Sequence, residues 1–258
     1  MRLLSYLAPG FPASLFATLA AVIDAEVSFD EATSGPAPGV DPFLDQSADL
    51  GWICSTSFVE LSERTPEPSV QLVGVAWVPD DEGSNGQPVY FGDLVTRPDS
   101  AIACFEDVRG TRVGCNDAVS LSGHYSFRFA ATARGLDPDS FADLVFTGGH
   151  HQSLDLLLAG HLDAAVVDSV VLARRARTDA AAADLRVVER LGPWPVQPLV
   201  ARATMPVDEV ARIQQLLLAA NDRPEVVAAL ADAGLSHLVA VSPEHYDVVS
   251  AAMSSQGE

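Results

Sequence analysis

Asn116-Asp117-Ala118-Val119-Ser120-Leu121-Ser122-Gly123 and Leu144-Val145-Phe146-Thr147-Gly148-Gly149-His150-His151-Gln152-Ser153 share one plan: an apolar strand, a turn of small and polar residues, then a helix. A third block, Gly160-His161-Leu162-Asp163-Ala164-Ala165-Val166-Val167-Asp168-Ser169, repeats the plan one helix later. The first N–H groups of a helix have no partner within it, and the positive end of its dipole faces the preceding turn. Several such turns at one edge of a parallel sheet can therefore serve a single anion.

Working outward, strand and helix patterns alternate along the whole chain, which predicts an α/β fold with mostly parallel sheets. Residues 2–7, 26–31 and 49–54 read as strands, and 13–24 and 57–62 as helical segments. Residues 70–78 read as one long apolar strand before the surface loop 79–86, and 89–97 as another strand. Strands at 112–116, 144–147, 164–167 and 187–191 build a second unit; 196–202 crosses back, and the last part reads as helices at 206–221, 223–233 and 243–253. This predicts two lobes, one from residues 1–93 plus 197–258 and one from 94–196, with crossing strands near 90–95 and 196–200 as a hinge. A ligand is expected in the cleft, at the carboxyl ends of the strands.

The net charge is −20, and all 15 basic residues are arginine. Such a field disfavours nucleic acid and anionic membranes as partners. The absence of lysine reads as a coding bias towards arginine, with adaptation to high salt as the alternative. No stretch reaches the roughly 20 apolar residues of a membrane span, so no integral membrane segment is expected. The three cysteines, Cys54, Cys104 and Cys115, have neither disulfide-framework nor metal-finger spacing. No paired-carboxylate, phosphate-loop or metal-ligand motif stands out, so no catalytic residue, metal or cofactor is assigned. Residues 13–25 imitate an export signal, but 1–8 and 13–24 read better as a first strand and helix of a core. The chain as given therefore reads as cytoplasmic, with export as the alternative if translation starts upstream.

The three blocks above, with Val89-Tyr90-Phe91, Arg97-Pro98-Asp99-Ser100 and Gly135-Leu136-Asp137-Pro138, resemble the phosphate/phosphite/phosphonate substrate-binding proteins of ABC transporters. The resemblance is specific over residues 88–175. It implies the type II periplasmic binding fold: two lobes, each a mostly parallel sheet flanked by helices. It further implies that Ser120, Ser122, Gly123 and His150 hold an oxyanion, that Tyr90 flanks the ligand, and that Asp168 takes its amine or protonated oxygen. Leu121 stands where that family usually has a hydroxyl, and His151 where it often has an acidic residue. Beside the resemblance, Ser55 and Thr56 lie at a strand-to-helix turn suited to close the site from the first lobe, and His124 and His151 are candidate lining residues. The expected function is a solute-binding protein closing on a small anionic or zwitterionic ligand, phosphonate- or phosphate-like, with an ABC permease as partner. The alternative is a cytoplasmic biosynthetic enzyme on the same scaffold, acting on a small metabolite.

Overall fold

A computed structural model describes residues 1–255. The chain opens with β1 (Arg2–Ser5), α1 (Ala13–Val22), β2 (Glu26–Phe29), β3 (Leu50–Trp52), α2 (Ser55–Glu63), β4 (Val70–Leu72) and β5 (Val75–Pro79). The middle carries β6 (Val89–Thr96), β7 (Arg112–Cys115), α3 (Ser126–Ala133), β8 (Asp143–Phe146), α4 (His150–Leu158), β9 (Ala164–Asp168), α5 (Ser169–Ala176), α6 (Ala180–Ala183) and β10 (Arg186–Pro195). It ends with β11 (Leu199–Arg202), α7 (Val207–Leu218), α8 (Pro224–Asp232), β12 (Leu235–Ala240) and α9 (Asp247–Ser254). Two compact units result, one from Met1–Val89 and Pro195–Met253, the other built on Tyr90–Trp194.

The first unit holds a five-stranded sheet in the order β2-β1-β3-β11-β4, parallel from β2 to β3 and antiparallel at β11. The apolar stretch that imitates an export signal is part of its core: Leu3 of β1 and Leu15, Phe16, Leu19 and Ala20 of α1 are buried. Those α1 positions fall on one helical stripe. Phe16 packs against the stacked pair Trp52 and Trp77, whose ring centroids lie 5.3 Å apart.

Two expectations fail in this unit. The apolar run 70–78 is two strands, not one, because Gly74 turns the chain at φ +81°. A Cβ there would lie 2.6 Å from Gln214 Nε2, whose N–H donates to the Gly74 carbonyl at 2.9 Å. Beyond this turn β5 leaves the main sheet and pairs antiparallel with β12, in a segment expected to contain only helices. The chain passes from the second unit to the first at the end of β10, and β11 lies in the first unit's sheet.

The second unit holds a sheet in the order β10-β6-β9-β7-β8. β7 is parallel to both β8 and β9, and β6 runs antiparallel to β9 with Gly92 opposite Asp168. Successive residues of a strand face opposite sides, so an unbroken apolar run fits a strand covered on both faces. On one face Leu94, Val113 and Val166 pack with Phe105, Phe127 and Phe141; on the other Val95, Ala165 and Val167 pack with Leu154, Leu157 and Val171. This double cover fixes the carboxyl ends of β7, β8 and β9 side by side.

Candidate functional site

Those three ends carry the three polar turns of the sequence. After β7 the chain runs through Asn116 to Ser120 and enters one wide π-type turn, Leu121–Tyr125, which continues into α3. Ser120 caps this turn: its Oγ accepts the Gly123 N–H at 3.1 Å, the role small hydroxyl residues commonly take before a helix. The wide turn places Ser122 against β6, where its carbonyl accepts the Ser126 hydroxyl at 2.6 Å. A Cβ on Gly92 would meet that carbonyl at 2.3 Å, so only glycine admits the approach.

After β8, Thr147 fastens the Gly148-Gly149 turn. Its Oγ1 lies 3.1 Å from the Cys115 carbonyl, 3.0 Å from the Gly149 carbonyl and 2.7 Å from Ser153 Oγ. Gly148 takes φ +91°, a left-handed conformation that favours glycine. The turn delivers His150 as the first residue of α4.

His150 is the meeting point of the three turns. Its Nε2 lies 3.5 Å from Ser122 Oγ, and the main-chain N–H of Asp168, at the end of β9, points at its Nδ1 from 3.4 Å. An N–H directed at Nδ1 selects the tautomer with hydrogen on Nε2. Burial pushes the imidazole pKa down to about 3, with neighbouring His151 acting in the same direction. The ring is thus a neutral donor whose N–H points towards the Ser122 hydroxyl. Gly123 completes the packing: a Cβ there would lie 1.9 Å from Asn116 Oδ1 and 3.1 Å from His150 Cε1.

The other candidates sort by what they touch. Asp168 is buried and caps α5, its Oδ1 accepting from the N–H groups of Val170 at 2.8 Å and Val171 at 3.3 Å. Tyr90 is buried on β6, on the same strand face as Gly92 and therefore on the side of the Ser122 turn. His124 is half-buried, with Nδ1 2.8 Å from the Ala118 carbonyl and its ring edge-on to Phe146; its pKa is lowered, chiefly by burial. His151 follows His150 on α4 and is half-buried. Leu121 is fully buried, so the residue standing for a family hydroxyl serves the core.

In the first unit, Ser55 and Thr56 begin α2 and are buried. The Ser55 hydroxyl lies 3.1 and 3.2 Å from the carbonyls of Pro195 and Val196, and Thr56 Oγ1 donates to Cys54 Sγ at 3.3 Å. Ser120, Ser122, Gly123, His150 and Asp168 thus come together in the second unit. Ser55 and Thr56 form a separate cluster in the first.

Three residues outside the sequence-derived set matter to this geometry. Asn116 is buried beside Gly123 and donates from Nδ2 to Asp117 Oδ2 at 2.8 Å; Ser126 holds the wide turn; Thr147 holds the glycine turn. Asn116 and Thr147 lie inside the quoted motifs. Ser126 carries no local signal, because its partner exists only once the turn has formed.

A family model described as "ABC transporter, phosphonate, periplasmic substrate-binding protein" matches residues 13–246. No curated protein matches the chain by sequence. Among solved structures, the chain is similar to a binding protein component of an ABC phosphonate transporter from Pseudomonas aeruginosa, with TM-score 0.79 and 15% identity over 98% of this chain and 85% of that one. It is also similar to PhnD1 from Prochlorococcus marinus in complex with methylphosphonate, with TM-score 0.77 and 14% identity over 100% and 98% of the two chains. A third is XAC2383 from Xanthomonas citri bound to chloride ion, with TM-score 0.76 and 17% identity over 98% and 97%. At these identities the likeness shows the fold, which is that of the type II periplasmic binding proteins.

Proposed function

This chain belongs to the family of periplasmic phosphonate substrate-binding proteins of ABC transporters, and on that footing we propose that the turns after β7, β8 and β9 bind a phosphonate- or phosphate-like oxyanion. Ser122 and His150 donate to it through Oγ–H and Nε2–H. Ser120, Gly123 and Asp168 shape the turns, and Tyr90 walls the site. The reading rests above all on the convergence of Ser122 Oγ and His150 Nε2 at 3.5 Å, where the amino ends of three helical segments meet. Helix amino ends stabilise negative charge by a few tenths to about 1 kcal/mol each, more when partly buried. Local donors of this kind hold an anion despite the protein's net charge of −20. Family membership favours a binding protein over a biosynthetic enzyme.

Two further steps belong to the same proposal. Export places the protein outside the cytoplasmic membrane, and an ABC permease receives the ligand. Among the described residues no helix is long and apolar enough to cross a membrane.

The test is isothermal titration of the full chain with methylphosphonate, phosphate and phosphite, beside Ser122→Ala and His150→Ala. At least one anion should bind, with affinity falling tenfold or more in each variant, since a charge-assisted hydrogen bond is worth about 1.5–3 kcal/mol. Binding of none of the three to folded protein would refute the assignment. Unchanged affinity in both variants would move the site elsewhere.

A further inference from the structure

The second unit also carries a row of rings that starts at the oxyanion turn. Phe146 ends β8, and its centroid lies 5.1 Å from that of His124, the residue after Gly123. His124 is 5.2 Å from Tyr125, Tyr125 is 5.7 Å from Phe129 on α3, and Phe129 is 5.4 Å from Trp194 near the end of β10. Phe146 is 52% exposed, His124, Tyr125 and Trp194 are half-buried, and Phe129 between them is buried. Ring contacts with partly exposed surface at Phe146, His124 and Tyr125, beginning beside the proposed anion site, favour a flat apolar group on the anion, because aromatic faces and edges stack at these spacings.

Asp168 and Asp117, the carboxylates at the strand-end turns, argue against a cationic substituent. Asp168 Oδ1 accepts from two main-chain N–H groups of α5. Asp117 is engaged at both oxygens, Oδ1 by the Val119 N–H at 2.9 Å and Oδ2 by Asn116 Nδ2 at 2.8 Å. A ligand ammonium needs a carboxylate to offset its desolvation, and both oxygens of Asp117 and Oδ1 of Asp168 are already engaged within the fold.

We propose that the ligand is a phosphonyl or phosphoryl anion bearing a flat aromatic group, which lies along the row with Tyr125 at its centre. This rests on the oxyanion assignment above and adds the class of substituent.

Titration calorimetry of the full chain with phenylphosphonate, methylphosphonate, cyclohexylphosphonate and adenosine monophosphate tests it. Phenylphosphonate should bind about tenfold more tightly than the methyl and cyclohexyl compounds, the scale of one good ring contact. That preference should fall towards unity in Tyr125→Leu and in Phe146→Ser, two partly exposed positions whose variants are checked for an intact melting transition. Tighter binding of adenosine monophosphate than of phenylphosphonate would identify a nucleotide, and the reverse order an aryl phosphonate; either supports the proposal. Equal or tighter binding of methylphosphonate would overturn it while leaving the oxyanion site standing, as would a preference that survives in both variants. Binding of none of the four would overturn the proposal and the oxyanion assignment together.

Discussion

Gly123→Ala probes the geometry of the oxyanion turn with a single methyl group. The new Cβ would sit 1.9 Å from Asn116 Oδ1, 3.0 Å from Asn116 Cγ and 3.1 Å from His150 Cε1. The first distance cannot persist, so Asn116 must move or the turn must retreat from His150. Asn116 is buried and donates to the Asp117 carboxylate at 2.8 Å, and moving it sacrifices that bond. Overpacking costs about 1–3 kcal/mol, and a hydrogen bond to a charged partner about 1.5–3 kcal/mol. Because relief of one reduces the other, a loss of about 2–4 kcal/mol follows. At roughly 2–4 °C per kcal/mol for a chain of this size, the melting temperature should fall by about 5–15 °C. Scanning calorimetry reads this, and titration with methylphosphonate should show at least a tenfold loss as Ser122 and His150 separate. Gly148→Ala is the counter-case: its Cβ meets nothing within 4 Å, but the residue sits at φ +91°. Its cost is confined to the left-handed backbone, about 1–2 kcal/mol. A Gly123→Ala protein that melts within about 2 °C of the parent and binds unchanged would refute the contact geometry on which the site is built.

Further outcomes follow from the same contacts. His150 is neutral in the fold, with its pKa pushed to about 3, whereas an unfolded chain takes up that proton near pH 6.5. Falling pH therefore favours unfolding through this residue across the window from about 6.5 to 3. The parent should lose about 1–2 kcal/mol relative to His150→Gln between pH 6.5 and 5, read by chemical denaturation. Long-range nitrogen–proton NMR should show the Nε2–H tautomer without protonation down to pH 5; a midpoint near 6.5 contradicts the burial argument. Asp168→Ala should destabilise by about 0.5–2 kcal/mol through loss of the α5 cap, and Asp168→Asn by less. If Asp168→Ala abolishes binding without lowering stability, the carboxylate is a ligand group and the cap reading is wrong. Gly74→Val forces a branched side chain onto φ +81° and against Gln214. A drop of at least about 2 kcal/mol is expected, and an unchanged melting temperature would deny the break between β4 and β5.

Much of the second unit could be read from the sequence because its determinants are local. The runs Ala164–Asp168 and Asp143–Phe146 each lead into small or polar residues, and strand, turn and helix follow one another within a few positions. What escaped was non-local. β12 exists because it pairs with β5 about 160 positions earlier in the chain, and its own residues carry no clear period. The break at Gly74 becomes necessary only when Gln214 and Val241 close around it. In the site, Ser122, Gly123 and His150 were legible as turn residues. The tautomer of His150, the structural use of Asp168 and the role of Ser126 depend on main-chain groups that the sequence does not position.

A crystal structure of the full chain with methylphosphonate tests the oxyanion assignment most directly. Phosphonyl oxygens should lie about 2.6–3.2 Å from Ser122 Oγ and from His150 Nε2, at the carboxyl ends of β7, β8 and β9. A phosphonate bound elsewhere, with Ser122 and His150 untouched, would contradict it.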